Sequence, residues 1–190
     1  MPEVLKFLID RIETLIGELL LVVDEGGNVR ALDWADFEPR MLRLLRLHYG
    51  KDGFVLEAAR DPHGLREKIN RYFGGDIGVI DEIPTQTAGT AFQRSVWEGL
   101  RKIPSGSTIS YGELAKQIDR HKAVRAVGLA NGSNPIGIVV PCHRVIGSNG
   151  SLTGYGGGLE RKRWLLEHER LHVRTSGGGG GSSSKSKRVE

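Results

Sequence analysis

Apolar residues in the first third of the chain come in short runs. Residues 4–9 (VLKFLI), 18–23 (ELLLVV) and 29–34 (VRALDW) read as strands. Glu25-Gly26-Gly27-Asn28 is a turn signal between the last two, which predicts a hairpin. The period then lengthens. In residues 38–49 (EPRMLRLLRLHY), Met41, Leu44, Leu45 and Tyr49 stand near helical spacing. Residues 62–73 read as a second helix, with Pro62 near its start and Gly74-Gly75 at its end. The stretch 76–90 has no clear period and holds a proline, so it reads as a connection between two domains.

From residue 91 the helical period dominates. Phe92, Val96, Leu100 and Ile103 share one helix face, and Pro104-Ser105-Gly106 breaks it. Ser110 and Glu113 have capping-box spacing, which fixes a helix start at 111. A second short helix, 122–131 (KAVRAVGLAN), carries the small residues Ala123, Ala126 and Ala130 and ends at 131–135 (NGSNP). Two short helices across a tight turn fit a helix-turn-helix, although any antiparallel helix pair gives the same pattern. Residues 136–140 (IGIVV) read as a strand feeding Pro141-Cys142. A glycine-rich loop leads to a last helix at 160–170 (ERKRWLLEHER), with Trp164 and Leu165 on its packing side. Residues 173–190 are expected to be a disordered, basic Gly/Ser tail.

Composition narrows the class without naming it. The 190 residues are 38% hydrophobic and 26% charged, ordinary for a soluble globular chain that can bury a core. One cysteine excludes an internal disulfide and any zinc site that needs two thiolates, so no metal is expected. It also points to a reducing, cytoplasmic compartment. The N-terminus lacks the apolar core of a signal peptide, and no stretch approaches the ~20 apolar residues of a membrane span. The charge is uneven. Residues 1–84 hold 11 Lys and Arg against 16 Asp and Glu (net −5). Residues 85–172 hold 12 against 6 (net +6), and 173–190 hold 4 against 1 (net +3). A basic second half suits a polyanion such as nucleic acid, or is a chance surface imbalance.

The single thiol lies in "IVVPCHRVIG", residues 138–147. A lone cysteine after an apolar run is ordinarily a small buried hydrophobe. As a nucleophile it must be a thiolate, which a neighbouring imidazole can generate and a carboxylate can help orient. His143 follows Cys142 directly, but adjacent side chains on a strand face opposite ways. A working pair therefore needs a turn at this point. Glu169, in the last helix, is a candidate orienting acid.

Six segments in one order carry a resemblance. "FQRSVW" (92–97), "ISYGELA" (109–115), "VRAVG" (124–128), "NGSNP" (131–135), "PCHRV" (141–145) and "GYGGGLERKRWLLEHE" (154–169) resemble the O6-alkylguanine-DNA alkyltransferase family, in its bacterial constitutive type. The resemblance covers about residues 90–172 strongly and 1–84 more loosely. It implies an α+β fold: a small mixed α/β, ribonuclease H-like N-terminal domain (1–84) and a C-terminal helical winged helix-turn-helix domain (85–172). The implied activity is irreversible transfer of an alkyl group from O6-alkylguanine, and from O4-alkylthymine, in double-stranded DNA to Cys142. Each molecule acts once, without cofactor and as a monomer. By the same resemblance His143 deprotonates Cys142 through a water, Glu169 fixes the His143 tautomer, and Tyr111 donates to the guanine ring nitrogen. Arg125 fills the stack vacated by a flipped nucleotide, and Ala126 and Gly128 let its helix approach the minor groove. Asn134 is a buried hinge, and Val145, Tyr155 and Gly156 form the base pocket.

Two positions depart from the pattern. Gly156 stands where some family members have serine, and Gly137 where others carry a bulkier residue or proline. The second is expected to open the pocket to larger adducts. Relatives that bind the lesion without repair lack the reactive cysteine, which is present here. Cysteine hydrolases ordinarily keep their Cys and His far apart in sequence.

Overall fold

The continuous apolar run of residues 18–23 becomes a strand that is buried on both faces. In the computed structural model, which describes residues 1–176, this strand is β2 (Gly17–Asp24), the second in a four-stranded sheet. The others are β1 (Leu5–Thr14), β3 (Val29–Trp34) and β4 (Phe54–Ala58), in the order β3-β2-β1-β4. β2 pairs antiparallel with both neighbours, while β1 and β4 are parallel. Alternate residues of β2 serve two cores, as the two-residue period of a strand requires. Leu20 and Val22 pack with Phe7, Met41 and Leu45 under α1 (Glu38–Tyr49). Leu19, Leu21 and Val23 face the rest of the molecule. The expected β2–β3 hairpin is present. β1 is longer than the expected 4–9 because its outer end pairs with β2 as far as Thr14–Gly17. β4 had no expected element; it is a half-exposed strand with a short, weakly alternating sequence.

The expected helix at 62–73 starts later. Pro62–Gly64 is a 3₁₀ turn with His63 in the left-handed region, and α2 runs Leu65–Phe73. Residues 76–90 are more than a connection. Ile77, Val79, Ile80 and Ile83 are buried in the same cluster as β2 and the C-terminal helices. Thr85 makes a bridge to Val29. Arg101 clasps this segment, donating to Ile83 O (3.1 Å) and Thr85 Oγ1 (2.9 Å).

The C-terminal half contains α3 (Ala91–Arg101), α4 (Tyr111–Gln117), α5 (Val124–Gly132) and α6 (Leu159–Ser176). Both helix starts carry full capping boxes, Thr90 with Gln93 and Ser110 with Glu113, so four otherwise unpaired backbone groups are satisfied locally. α4 and α5 pack as the expected helix pair. Beside them β5 (Ile109–Ser110) and β6 (Val145–Ile146) form a short parallel ladder. The fold is thus α+β: a mixed sheet with helices, followed by a helical unit. α6 extends to Ser176, into the expected tail, and the rest of that tail lies outside the described residues. Among the described residues no helix is long and apolar enough to cross a membrane.

The expected strand at 136–140 is a turn. Only Ile136 makes a bridge, to Leu32 at the open edge of β3. Asn134 replaces a ladder here. Its Nδ2 donates to Val140 O (2.8 Å) and Ile136 O (3.3 Å), and its Oδ1 accepts from Ile136 N (2.9 Å). With both ends tied to one buried side chain, the β-branched run must curl instead of extending. Ile138 is thereby forced to φ +68°, a left-handed conformation that costs a β-branched residue about 1–3 kcal/mol.

Candidate functional site

The curled segment delivers Pro141 and then a single 3₁₀ turn, Cys142–Arg144. A helical turn separates adjacent side chains by about 100° instead of the strand's 180°. Cys142 can therefore face a cleft while His143 and Arg144 enter the protein. Cys142 is 8% exposed, and His143 is fully buried. Burial pushes the Cys142 thiol up, against the opposing pull of an Asn134 side-chain hydrogen bond and the Arg40 and Lys162 charges. The sulfur is a neutral thiol at neutral pH and needs a base.

His143 has the geometry of one. Its Nε2 lies 2.8 Å from Glu169 Oε1. An ionised carboxylate only accepts, so Nε2 carries the proton and Nδ1 is the bare acceptor. Nδ1 is buried and has no hydrogen-bond partner among the described residues. Glu169 is fully buried, and burial alone would protonate it. The facing His143 ring and the Arg144 guanidinium outweigh that penalty and hold the carboxyl well below the usual range. Arg144 grips it with both edges, Nε to Oε2 (2.9 Å) and Nη2 to Oε1 (2.9 Å). Arg144 is itself anchored on Ile103 O (2.7 Å) and Ser105 Oγ (3.0 Å).

In front of the thiol is a narrow cleft with about 10 Å³ of free space, room for roughly one water molecule. Its walls include Leu32, Trp34 and Arg40 from the N-terminal half and Asn134, Gly137, Ile138, Tyr155 and Gly156 from the other. Tyr155 is half-buried. Burial at its hydroxyl end and the nearby Cys142 push it well above the usual phenol range, so it is a neutral donor. Arg40 bridges the halves, binding Asp33 Oδ2 (2.7 Å), Gly132 O (2.8 Å) and Asn134 O (3.3 Å). A Cβ on Gly156 would come within 2.9 Å of this guanidinium, and one on Gly157 would overlap the Trp34 ring. Glycine at 157 is what lets the loop close against Trp34, while at 156 the Arg40 side chain could shift to make room. At Gly137 a Cβ would sit 3.2 Å from Leu32 O, so the backbones pack closely there.

Cys142, Asn134, Tyr155 and Gly156 meet at this cleft, with His143 and Glu169 behind it. Val145 does not line it. β6 pairs with β5 at this residue, which turns the Val145 side chain into the core. Tyr111, Arg125, Ala126 and Gly128 are not part of the cleft lining. Arg125 and Ala126 are exposed on α5, and Gly128 faces the Tyr111 ring. A Cβ on Gly128 would be 3.7 Å from that ring, an ordinary contact, so internal packing does not demand glycine there.

Residues 91–171 match the family profile described as "6-O-methylguanine DNA methyltransferase, DNA binding domain". A methylated-DNA–protein-cysteine methyltransferase of Shigella flexneri is 52% identical over 165 residues, spanning 87% of this chain and 96% of the relative. The chain belongs to the methylated-DNA–protein-cysteine methyltransferase family. One of Mycobacterium tuberculosis is 56% identical over 143 residues, 75% of this chain and 79% of the relative. The solved structure of a Mycobacterium tuberculosis O6-methylguanine methyltransferase superposes with a TM-score of 0.69 at 39% identity, over 88% of this chain and 94% of that one. A DNA complex of the protein called OGT from the same organism gives the same values.

In this methyltransferase family member four site residues escaped the sequence reading: Arg40, Tyr72, Arg144 and Lys162. Arg144 stood beside the quoted Cys-His pair and could have been found there. Lys162 is fully buried, with Nζ donating to Val145 O (2.6 Å) and Thr153 O (2.8 Å), which pins the loop before α6. In sequence it is one of several basic residues on a helix, with no signal of burial.

The Glu169 pair predicts a pH dependence of stability. A carboxylate held below its unfolded value stabilises the fold fully above about pH 4.3, and that contribution is lost as pH falls through the folded value. The stability gap between wild type and Glu169→Gln is expected to narrow as pH is lowered from 6 towards 2. Denaturant midpoints measured over that range check it. A constant gap would mean that folding leaves the Glu169 carboxyl unshifted, and a change in the opposite sense would mean that burial wins and raises it.

Proposed function

We propose that this chain repairs double-stranded DNA by moving the alkyl group of O6-alkylguanine, and of O4-alkylthymine, irreversibly onto Cys142. The observation that carries the reading is the buried Glu169–His143 hydrogen bond of 2.8 Å behind the one thiol of the cleft. His143 Nδ1 takes the Sγ proton through a water. The thiolate attacks the alkyl carbon, so an S–C bond forms and the C–O6 bond breaks. Its electron pair goes to the guanine oxygen. Glu169 stabilises the imidazolium that results. Tyr111 donates to the guanine ring nitrogen and offsets the charge that builds on the leaving base. A thioether is not hydrolysed back to the thiol in water, so each molecule turns over once, and we read the transfer as needing no cofactor.

The alkylated base lies inside a stacked duplex and must be flipped out. Arg125 fills its place, while Ala126 and Gly128 keep α5 thin enough to enter the minor groove. Asn134 ties the end of α5 to the Cys142 turn. Tyr155 and Gly156 hold the extrahelical base, and Val145 packs in the core behind it. We read the chain as a cytoplasmic monomer of the bacterial constitutive type, divided near residues 84 and 85. The test is intact-mass measurement after incubation with duplexes carrying O6-methyl- or O6-benzylguanine. A permanent gain of one alkyl group per molecule is expected. No gain would overturn the assignment, and continued turnover would make the protein a hydrolase.

A further inference from the structure

We propose that Tyr72, from the N-terminal half, is a positioning residue that sets the basicity of His143 through Glu169. The inference rests on the repair reading above. Tyr72 is fully buried on α2, and its hydroxyl donates to Glu169 Oε1 at 2.8 Å. This is the oxygen that also accepts from His143 Nε2 (2.8 Å) and Arg144 Nη2 (2.9 Å). Three donors therefore share one carboxylate oxygen.

Sharing has two consequences. The hydroxyl adds to the two-point Arg144 grip on the carboxylate, so Oε1 stays aimed at the imidazole. It also withdraws negative charge from the oxygen, so His143 Nε2–H meets a weaker acceptor and the imidazolium is less stabilised. Both consequences bear on how readily the imidazole takes up the Sγ proton. The Tyr72 ring is itself fixed. It packs edge-on against His168, centroids 5.4 Å apart, and His168 Nε2 lies 2.7 Å from Tyr72 O. The titratable and charged groups facing the pair are thus Arg144 and His143 from the Cys142 turn, His168 from α6, and Tyr155, which adds to the field at Tyr72. Arg144 is balanced by Glu169 and held on backbone, which leaves the Tyr72 hydroxyl as the neutral, adjustable donor. Burial, followed by the Glu169 charge, raises the Tyr72 phenol well above its usual range, so it donates throughout the working pH range.

The experiment uses the whole chain and Tyr72→Phe, which keeps the ring. Single-turnover alkyl transfer is followed against pH on an O6-methylguanine duplex and on free O6-benzylguanine. His143 titration is followed by NMR, independently of transfer. Without the hydroxyl, the acid limb of the rate and the His143 titration should both move up by about one unit, an about tenfold loss of the basic form below the midpoint. The loss should be equal on both substrates, with duplex affinity unchanged. Should Tyr72→Phe fold poorly, 3-fluorotyrosine at position 72 keeps the shape and strengthens the donor; it should move both curves down. A rate and titration that stay put in the folded variants would overturn the proposal. If wild type transfers no alkyl group, the repair reading falls, and the NMR titration still decides what Tyr72 does to His143.

Discussion

Cys142→Ser is expected to abolish alkyl uptake while leaving binding to alkylated duplex DNA intact. The transfer needs a nucleophile that reaches its anionic form beside a buried imidazole. Even the thiol is pushed up by burial at this position, and His143 with Glu169 is what brings it within reach. A serine hydroxyl starts far higher, and its oxygen is a poor nucleophile towards an sp³ carbon. Loss should therefore reach the detection limit. DNA affinity should survive, because on the proposed reading it rests on phosphate contacts of the basic C-terminal half and on contacts to the flipped base, neither of which uses the sulfur. Intact-mass measurement and a gel-shift titration on one lesion-containing duplex separate the two. Alkyl uptake by the serine variant, on any residue, would remove Cys142 from the mechanism.

Arg125→Ala should weaken repair of duplex DNA about a hundredfold and barely change reaction with free O6-benzylguanine. Arg125 is exposed on α5 beside the equally exposed Ala126, away from the buried Cys142 environment. In the proposed role it would offset the cost of a few kcal/mol of the flipped state by filling the stack. About 2.7 kcal/mol corresponds to the hundredfold effect. An ordinary phosphate contact behaves differently. Losing one lowers affinity and leaves the rate at saturating DNA unchanged. Single-turnover kinetics on both substrates distinguish the cases. An equal loss on duplex and free base would show that Arg125 supports the fold or the pocket.

Much of the local structure could be read from the chain. The β2–β3 hairpin, α1, the Ser110–Glu113 cap and α4 are where turn chemistry and periodicity put them, because each signal acts within a few residues. The requirement for a turn at Cys142 also followed from strand geometry alone, and the 3₁₀ turn meets it. The strand expected at 136–140 failed for a reason outside the segment. Ile136 to Val140 have strand-forming side chains, but Asn134 takes up the backbone groups that a ladder would need. β4 was invisible because its burial comes from a parallel partner 49 residues earlier, with Leu5 opposite Phe54.

The sequence by itself determined the family, since six motifs in fixed order are written in the residues, and it determined the nucleophile, since there is one cysteine. Only the tertiary structure decided what surrounds the pair. Tyr72 meets Glu169 across 97 residues, and Arg40 reaches Gly132 and Asn134 across more than 90. Lys162 is drawn into the loop that it pins. Contacts of this kind depend on which faces of β2, α2 and α6 turn towards the common core. That choice is made by burial summed over the whole chain, and no local spacing carries it.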